Sequence, residues 1–169
     1  MSLIIKSNVK IYSVDNNGVH SLSSEGHNTL CEPGLSVLAK ATAGNQDYKI
    51  SHVAGIYGAG AYVFDKYSTY ANFEAAAAAA GDTIEEVEIR NYSYSNYNPT
   101  PGTDNYVDNI LGVQGTFTKP AAGTTYKSFG LVSITPGGVK TLVAVYVQDV
   151  VMGANKHLSV AWSLSFLVP

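Results

Sequence analysis

The end of the chain alternates large apolar residues with small ones at a period of two. Leu158, Val160, Trp162, Leu164 and Phe166 occupy one set of positions, and serine or alanine fills most of the positions between them. Successive side chains of a β-strand point to opposite faces, so this pattern predicts a long strand with one buried face. A second face of small and hydroxylated residues is typical of an antiparallel strand in a half-buried sheet. We expect Trp162 to anchor the core.

Alternating or continuously apolar segments recur along the rest of the chain. They lie at residues 3–14, 19–22, 48–60, 83–97, 107–117, 126–134 and 139–147. Turn sequences separate several of them, among them Asp15–Gly18 and Thr135–Gly138, where Asn, Pro and Gly supply the required backbone angles. A connection is expected over residues 148–156. Roughly seven to nine short strands divided by turns predict a mainly β fold, an antiparallel β-sandwich.

Two segments favour short helices instead. Pro33 suits a first helical turn, and an apolar face follows it, so we predict a helix over Pro33–Ala43. The second candidate spans residues 72–81 and contains the alanine run Ala75–Ala80. Alanine is the best helix former, Asn72 is a suitable N-cap, and glycine at position 81 is a natural stop.

Length and composition indicate one β-sandwich domain over residues 1–169, with or without an N-terminal arm within residues 1–25. Charged residues make up 14% of the chain, against a usual value of about 25%. A surface with few charges suits a protein covered by neighbours, and it also suits a soluble β-protein with a hydroxylated surface. The net charge of -3 and the scattered lysines exclude the clustered basic footprint of a nucleic-acid-binding protein.

The single cysteine, Cys31, excludes an intrachain disulfide and fits a reducing compartment. The apolar residues at positions 3–5 are too few for the core of a signal peptide, and Lys6 interrupts them. No segment approaches the roughly 20 apolar residues of a membrane helix. These features predict synthesis in the cytoplasm and no membrane partner.

Histidine and cysteine, which can bind metals or act in catalysis, are present, but their spacing in the sequence does not indicate a metal site or a catalytic site. The histidines stand apart, without metal-ligand spacing, at positions 20, 27, 52 and 157. A lone cysteine beside a helix start, like Cys31, is more typical of a small packed residue than of a nucleophile. We expect no metal, no cofactor and no catalytic residue.

Two further motifs have both a chemical and a structural interpretation. Gly55–Gly60 follows a strand and is similar to a glycine-rich phosphate loop, but no clear helix follows it, which favours a bulge or turn. Glu86 and Glu88 share one face of a predicted strand. They are the candidate carboxylates of a hydrolase, and the alternative is an ordinary solvent-facing strand.

Twelve tyrosines are the most unusual feature of the composition. Tyr92, Tyr94, Tyr97 and Tyr106 crowd into one region. Tyrosine offers a large contact area with a polar tip and is enriched at protein interfaces. We predict that these four residues form an interface; shielding of a strand face is the alternative for Tyr92 and Tyr94.

Several segments together resemble one family. Asn28–Lys40 is similar to an N-terminal pattern of bacteriophage tail and fibre-associated proteins, and Ile50–Gly60 resembles their strand with a glycine-rich turn. Phe129–Leu131 and Thr141–Ala144 resemble a hairpin of the family, and Leu158–Phe166 its closing strand. The resemblance implies a structural protein of the virion and carries over no catalytic residue.

These observations predict a non-enzymatic structural component of a bacteriophage particle, in the tail, the baseplate or a fibre attachment. Its expected partners are other virion proteins and copies of itself in a homo-oligomer, and its expected location is the virion. Two alternatives remain: a capsid decoration or cement protein, and a carbohydrate-binding module that uses exposed tyrosines.

Overall fold

Two five-stranded sheets face one another in the computed structural model, which describes residues 4–96, 109–118 and 121–167. The strands are β1 Ile4–Asp15, β2 His20–His27, β3 Thr29–Leu30, β4 Ile50–Tyr57, β5 Thr83–Glu88, β6 Asn91–Asn96, β7 Asn109–Phe117, β8 Thr125–Ile134, β9 Lys140–Val151 and β10 Lys156–Leu167. The helices are α1 Glu32–Thr42 and α2 Tyr70–Ala80.

The first sheet, sheet A, has the strand order β2-β1-β10-β7-β6, and sheet B has the order β3-β9-β8-β4-β5. All pairings among these described strands are antiparallel. The predicted antiparallel β-sandwich with short helices is therefore confirmed. The edge strands β2 and β6 flank sheet A, and β3 and β5 flank sheet B.

The main core lies between the two sheets. β10 contributes Leu158, Val160, Trp162 and Leu164, each at most 1% exposed. The Trp162 indole N–H donates to Ser7 Oγ at 2.9 Å, so its polar atom is satisfied although it is buried. Trp162 therefore anchors the core as its alternating position predicts.

A second apolar layer covers the outer face of sheet B. Tyr70, Phe73 and Ala77 of α2 pack there against Ile56 and Leu142 of the sheet. The molecule thus has three layers: sheet A, sheet B, and the layer formed by α2 with the preceding segment. Helix α1 lies within one residue of its predicted bounds. It packs on β9, and its residue Val37 belongs to the main core.

Helix α2 begins earlier than the alanine run indicates, and Asn72 is not its N-cap. The N-cap is Thr69, whose hydroxyl accepts the Asn72 N–H at 3.2 Å, while the Asn72 side chain accepts the Thr69 N–H at 2.8 Å. Asn72 is therefore the third helical residue of a reciprocal capping box. Tyr70 extends the helix because its ring is buried against sheet B, a tertiary contact that local propensity does not report.

Strand β9 also continues beyond its predicted end at Val147, to Val151. The predicted connection is correspondingly shorter. The pairing of β9 with β8 shifts register between Tyr126 and Ser128 of β8. Such a bulge interrupts the alternation of apolar residues while the strand continues, which removes the period-two signal at Gln148 and Asp149.

Candidate functional site

The outer side of helix α2 is nearly uncharged. The helix buries Tyr70, Phe73 and Ala77 on its inner side, and Glu74 is the only charged residue of α2. The exposed positions are mostly alanines, namely Ala71, Ala75, Ala78, Ala79 and Ala80. Alanine leaves no long side chain to lose conformational freedom, so this side of the helix is a flat surface that a partner can cover at little entropic cost.

The segment before α2 holds one apolar side chain out in solvent. Val63 is 95% exposed, although it stands between Tyr62 and Phe64, whose rings stack 6.0 Å apart and nearly parallel. Phe64 packs in turn on Phe73 of α2, with ring centroids 5.3 Å apart. The neighbours of Val63 are thus fixed to the body of the protein, and Val63 projects from a rigid support.

A groove of about 380 Å³ separates this segment from α2. It is lined by Val63, Phe64, Asp65, Tyr67, Ser68, Asn72 and Ala76. Tyr67 is 60% exposed, and the Lys66 ammonium lies 4.8 Å from the centre of its ring. We call the exposed side of α2, Val63, Tyr67 and this groove the α2 surface. The α2 surface combines exposed apolar side chains with the polar residues of the groove, a composition that protein interfaces also have.

The glycine-rich segment Gly55–Gly60 binds the carboxylate of Asp82, a residue of the same chain. Asp82 accepts the Ala59 N–H at 3.1 Å, the Gly60 N–H at 2.9 Å and the Tyr62 hydroxyl at 2.7 Å. A Cβ on Gly58 would lie 2.0 Å from Asp82 Oδ1, so the carboxylate approaches the loop only because glycine is there. The N–H groups of this glycine-rich segment therefore bind Asp82 instead of a phosphate. These bonds hold the segment that leads to Val63 in place.

The contribution of Asp82 to the stability of the fold depends on pH, because its hydrogen bonds favour the charged carboxylate. Partial burial works against the charge, but the hydrogen bonds from Tyr62, Gly60 and Ala59 outweigh it and lower the pKa of Asp82. Because this pKa is lower in the folded chain than in the unfolded one, the stabilisation is present above the unfolded value and is lost as pH falls through the folded one.

We expect Asp82→Asn to lower the free energy of unfolding by about 2 kcal/mol near pH 7, because it weakens several charge-assisted hydrogen bonds. Urea denaturation from pH 7 downwards should show the difference from the wild type shrinking below about pH 4. Asp47→Asn, at an exposed carboxylate, is the matched control and should have little effect. A difference that grows on acidification would contradict the assignment.

The two candidate hydrolase carboxylates have different surroundings. Glu86 accepts a hydrogen bond from the Tyr70 hydroxyl and another from Lys140 Nζ at 2.7 Å. Burial opposes the charge, but these two partners and the nearby His52 lower the pKa of Glu86. A general acid near neutral pH needs a raised carboxyl pKa, so Glu86 is shifted in the opposite direction and instead ties α2 to sheet B.

Glu88 is exposed and lies opposite His52 in the pairing of β5 with β4. A groove of about 460 Å³ runs along this edge of the sandwich. Its lining consists of Glu85, Glu86, Val87, Glu88, Arg90, Gln114, Thr116 and Thr118. Glu85 differs from its neighbours, since it is buried and accepts the hydroxyl of Tyr126 at 2.7 Å.

Cys31 is fully buried at the N-cap of α1. Burial, with a smaller contribution from Asp65, raises the pKa of Cys31 to about 11. The thiol is therefore protonated at neutral pH, whereas a nucleophilic cysteine requires the thiolate. In the described residues no group of three His, Cys, Asp or Glu side chains is placed to hold a metal ion.

The predicted tyrosine interface falls mainly outside the described residues. Tyr97 and Tyr106 lie there, as do the side chains of Tyr92 and Tyr94. The backbone places Tyr92 and Tyr94 on β6, the edge strand of sheet A, opposite Val113 and Leu111. The interface role of the four tyrosines remains a prediction.

Sequence reasoning did not identify the α2 surface. Tyr62-Val63-Phe64 is a continuous apolar run, which gives no sign that the middle residue is exposed. The one available signal was the alanine run of α2, whose helix carries a single charge.

Comparisons with protein-family models, with curated proteins and with solved structures found no match for this chain. The resemblance to bacteriophage tail and fibre-associated proteins therefore stays a prediction. Within the described part of the chain, both helices have 11 residues and fall short of the length that a membrane span requires.

Proposed function

We propose that the chain is a non-enzymatic structural component of a bacteriophage particle, placed in the tail, the baseplate or a fibre attachment. It binds other virion proteins and copies of itself, and the α2 surface is its main contact with a neighbouring virion protein. The proposal is supported by the low charge of the chain, by the segments that resemble phage proteins, and by the geometry of the α2 surface.

The observation that carries the proposal is the exposure of Val63 on a rigid support. Burial of a valine side chain contributes about 1.5–3 kcal/mol, and this gain is fully available because Val63 is 95% exposed. The stacked rings of Tyr62 and Phe64 hold the backbone in place, so little ordering is required when a partner binds. A preorganised apolar projection beside a flat helix is suited to a protein partner.

The functional test follows the chain into particles. Phage particles released from cells that carry the gene are purified by density gradient, and the chain is quantified in them by mass spectrometry. We expect a fixed copy number per particle, and tail, baseplate and capsid fractions then give its position. A chain that is abundant in the cell extract and absent from the particles contradicts the proposal.

Val63→Asp should reduce incorporation into particles at least about tenfold, the equivalent of 1.4 kcal/mol, because it places a charge in the centre of an apolar contact. Val139→Asp is the matched control, since Val139 is also exposed, at 63%, but lies in the β8–β9 turn. The control should incorporate like the wild type. Equal incorporation of both variants would remove the α2 surface from the contact.

A further inference from the structure

We propose that two copies of the chain pair through their β2 strands, in an antiparallel register that sets His20 of each copy opposite Glu25 of the other. This inference rests on the proposed function and deepens it, since it identifies the contact between copies. Strand β2 ends sheet A and pairs with β1 alone among the described strands. Its outer edge therefore offers backbone donors and acceptors to another strand.

The sequence of β2 is self-complementary in this register. His20 faces Glu25 of the second copy, Ser21 faces Ser24, and Leu22 faces Ser23, and each pair occurs twice by symmetry. The two histidine–glutamate pairs place an imidazole N–H donor opposite a carboxylate acceptor at both ends of the contact. Leu22, which is 52% exposed, lies at the centre, where its nearest apolar neighbour is Leu22 of the second copy.

A bulge makes this complementarity possible. His20 and Glu25 are five residues apart, and a regular strand would place them on opposite faces. The pairing of β2 with β1 shifts register between Ile11 and Tyr12, which inserts one extra residue in β2. The ring centroids of His20 and Tyr12 are consequently 5.8 Å apart, and Lys10 Nζ lies 3.5 Å from Glu25 Oε2. His20 and Glu25 therefore lie on the same face of sheet A.

The edge strand β5 of sheet B is built differently. It carries three carboxylates in six residues, and one of them, Glu85, is buried. Charges on an edge strand, above all inward-pointing ones, oppose the addition of another strand. Strand β2 has Glu25 as its only carboxylate, so pairing through β2 is favoured over pairing through β5.

The pairing has a consequence for assembly. An isologous contact between antiparallel edge strands has a two-fold axis perpendicular to the sheet. Such an axis keeps sheet B and α2 of both copies on the same side of the dimer. The dimer would thus present two α2 surfaces in one direction, and docking on a neighbouring structure would gain from bivalency.

The test is sedimentation velocity of the full chain from about 10 µM to about 1 mM, the range suited to a small and weak interface. We expect a reversible monomer–dimer equilibrium. His20→Glu places two like-charged pairs in the contact and should weaken the dimer at least about tenfold. The exchange His20→Glu with Glu25→His restores the histidine–glutamate pairs in the same register and should recover most of the affinity.

His27→Glu is the matched control, because it makes the same change at an exposed residue of β2 that has no strand partner in this register. It should leave the dimer unchanged. A wild-type chain that stays monomeric over the whole range overturns the pairing, as does an exchange variant no tighter than His20→Glu. A monomeric chain that still enters phage particles would refute the pairing and leave the proposed function standing.

Discussion

Gly34→Ala is expected to lower the free energy of unfolding by about 3 kcal/mol. A Cβ at this position would lie 2.5 Å from both Cα and the carbonyl oxygen of Val143 in β9. These are backbone atoms, and the same carbonyl oxygen accepts the Cys31 N–H at 2.9 Å, so β9 cannot move away cheaply. Helix α1 must shift instead, which disturbs Val37 in the main core. Urea denaturation followed by circular dichroism measures the change.

The sign of this result separates packing from helix propensity. Alanine in place of glycine within an open helix would stabilise it by about 0.5–1 kcal/mol. Ser36→Ala, at an exposed position of the same helix, is the control and should change stability by less than about 0.5 kcal/mol. A Gly34→Ala variant more stable than the wild type would show that α1 does not approach β9 this closely.

Tyr126→Phe is expected to cost about 3 kcal/mol, because it removes a hydroxyl that donates to a buried carboxylate. Tyr126 is fully buried, and its hydroxyl lies 2.7 Å from Glu85 Oε2. Glu85 is also buried, with only 6% of its surface exposed. Burial and the bond to Glu85 raise the pKa of Tyr126 well above its usual range. The phenol therefore remains a donor at every pH of interest, and its loss leaves Glu85 without this partner.

A double variant tests the cause. Tyr126→Phe combined with Glu85→Met removes both polar partners and should recover most of the lost stability, because no carboxylate is left buried. Each variant is measured by the same denaturation experiment. If Tyr126→Phe cost less than about 0.5 kcal/mol, water in the adjoining groove would be satisfying the carboxylate, and the bond would not stabilise the fold.

Local sequence patterns predicted most of the fold, because a half-buried strand imposes its period on the residues. The alternation over Leu158–Phe166 marked β10, and the Thr135–Gly138 turn is closed by the Gly138 N–H donating to the Thr135 carbonyl at 2.9 Å. Patterns failed where tertiary contacts decide. Tyr70 extends α2 by packing on sheet B, and the bulge near Gln148 hides the last part of β9.

The candidate site was harder to predict, since it depends on residues far apart in the sequence. Asp82 fixes a loop more than twenty residues earlier, and its hydrogen bonds occupy loop N–H groups that a phosphate loop would offer to a ligand. Val63 is exposed because the rings on either side of it turn inward. The bulge that brings His20 and Glu25 to one face has no signature in the sequence of β2.

The central claim is that the α2 surface is covered by protein in the particle, and thiol labelling at Val63→Cys tests it most directly. Cys31 is buried with its pKa raised to about 11, so the introduced thiol is the reactive one. A maleimide should label the free variant rapidly and label it at least about tenfold more slowly in purified particles, as expected for a residue that loses its solvent access. Equal labelling rates in the two states would contradict the claim.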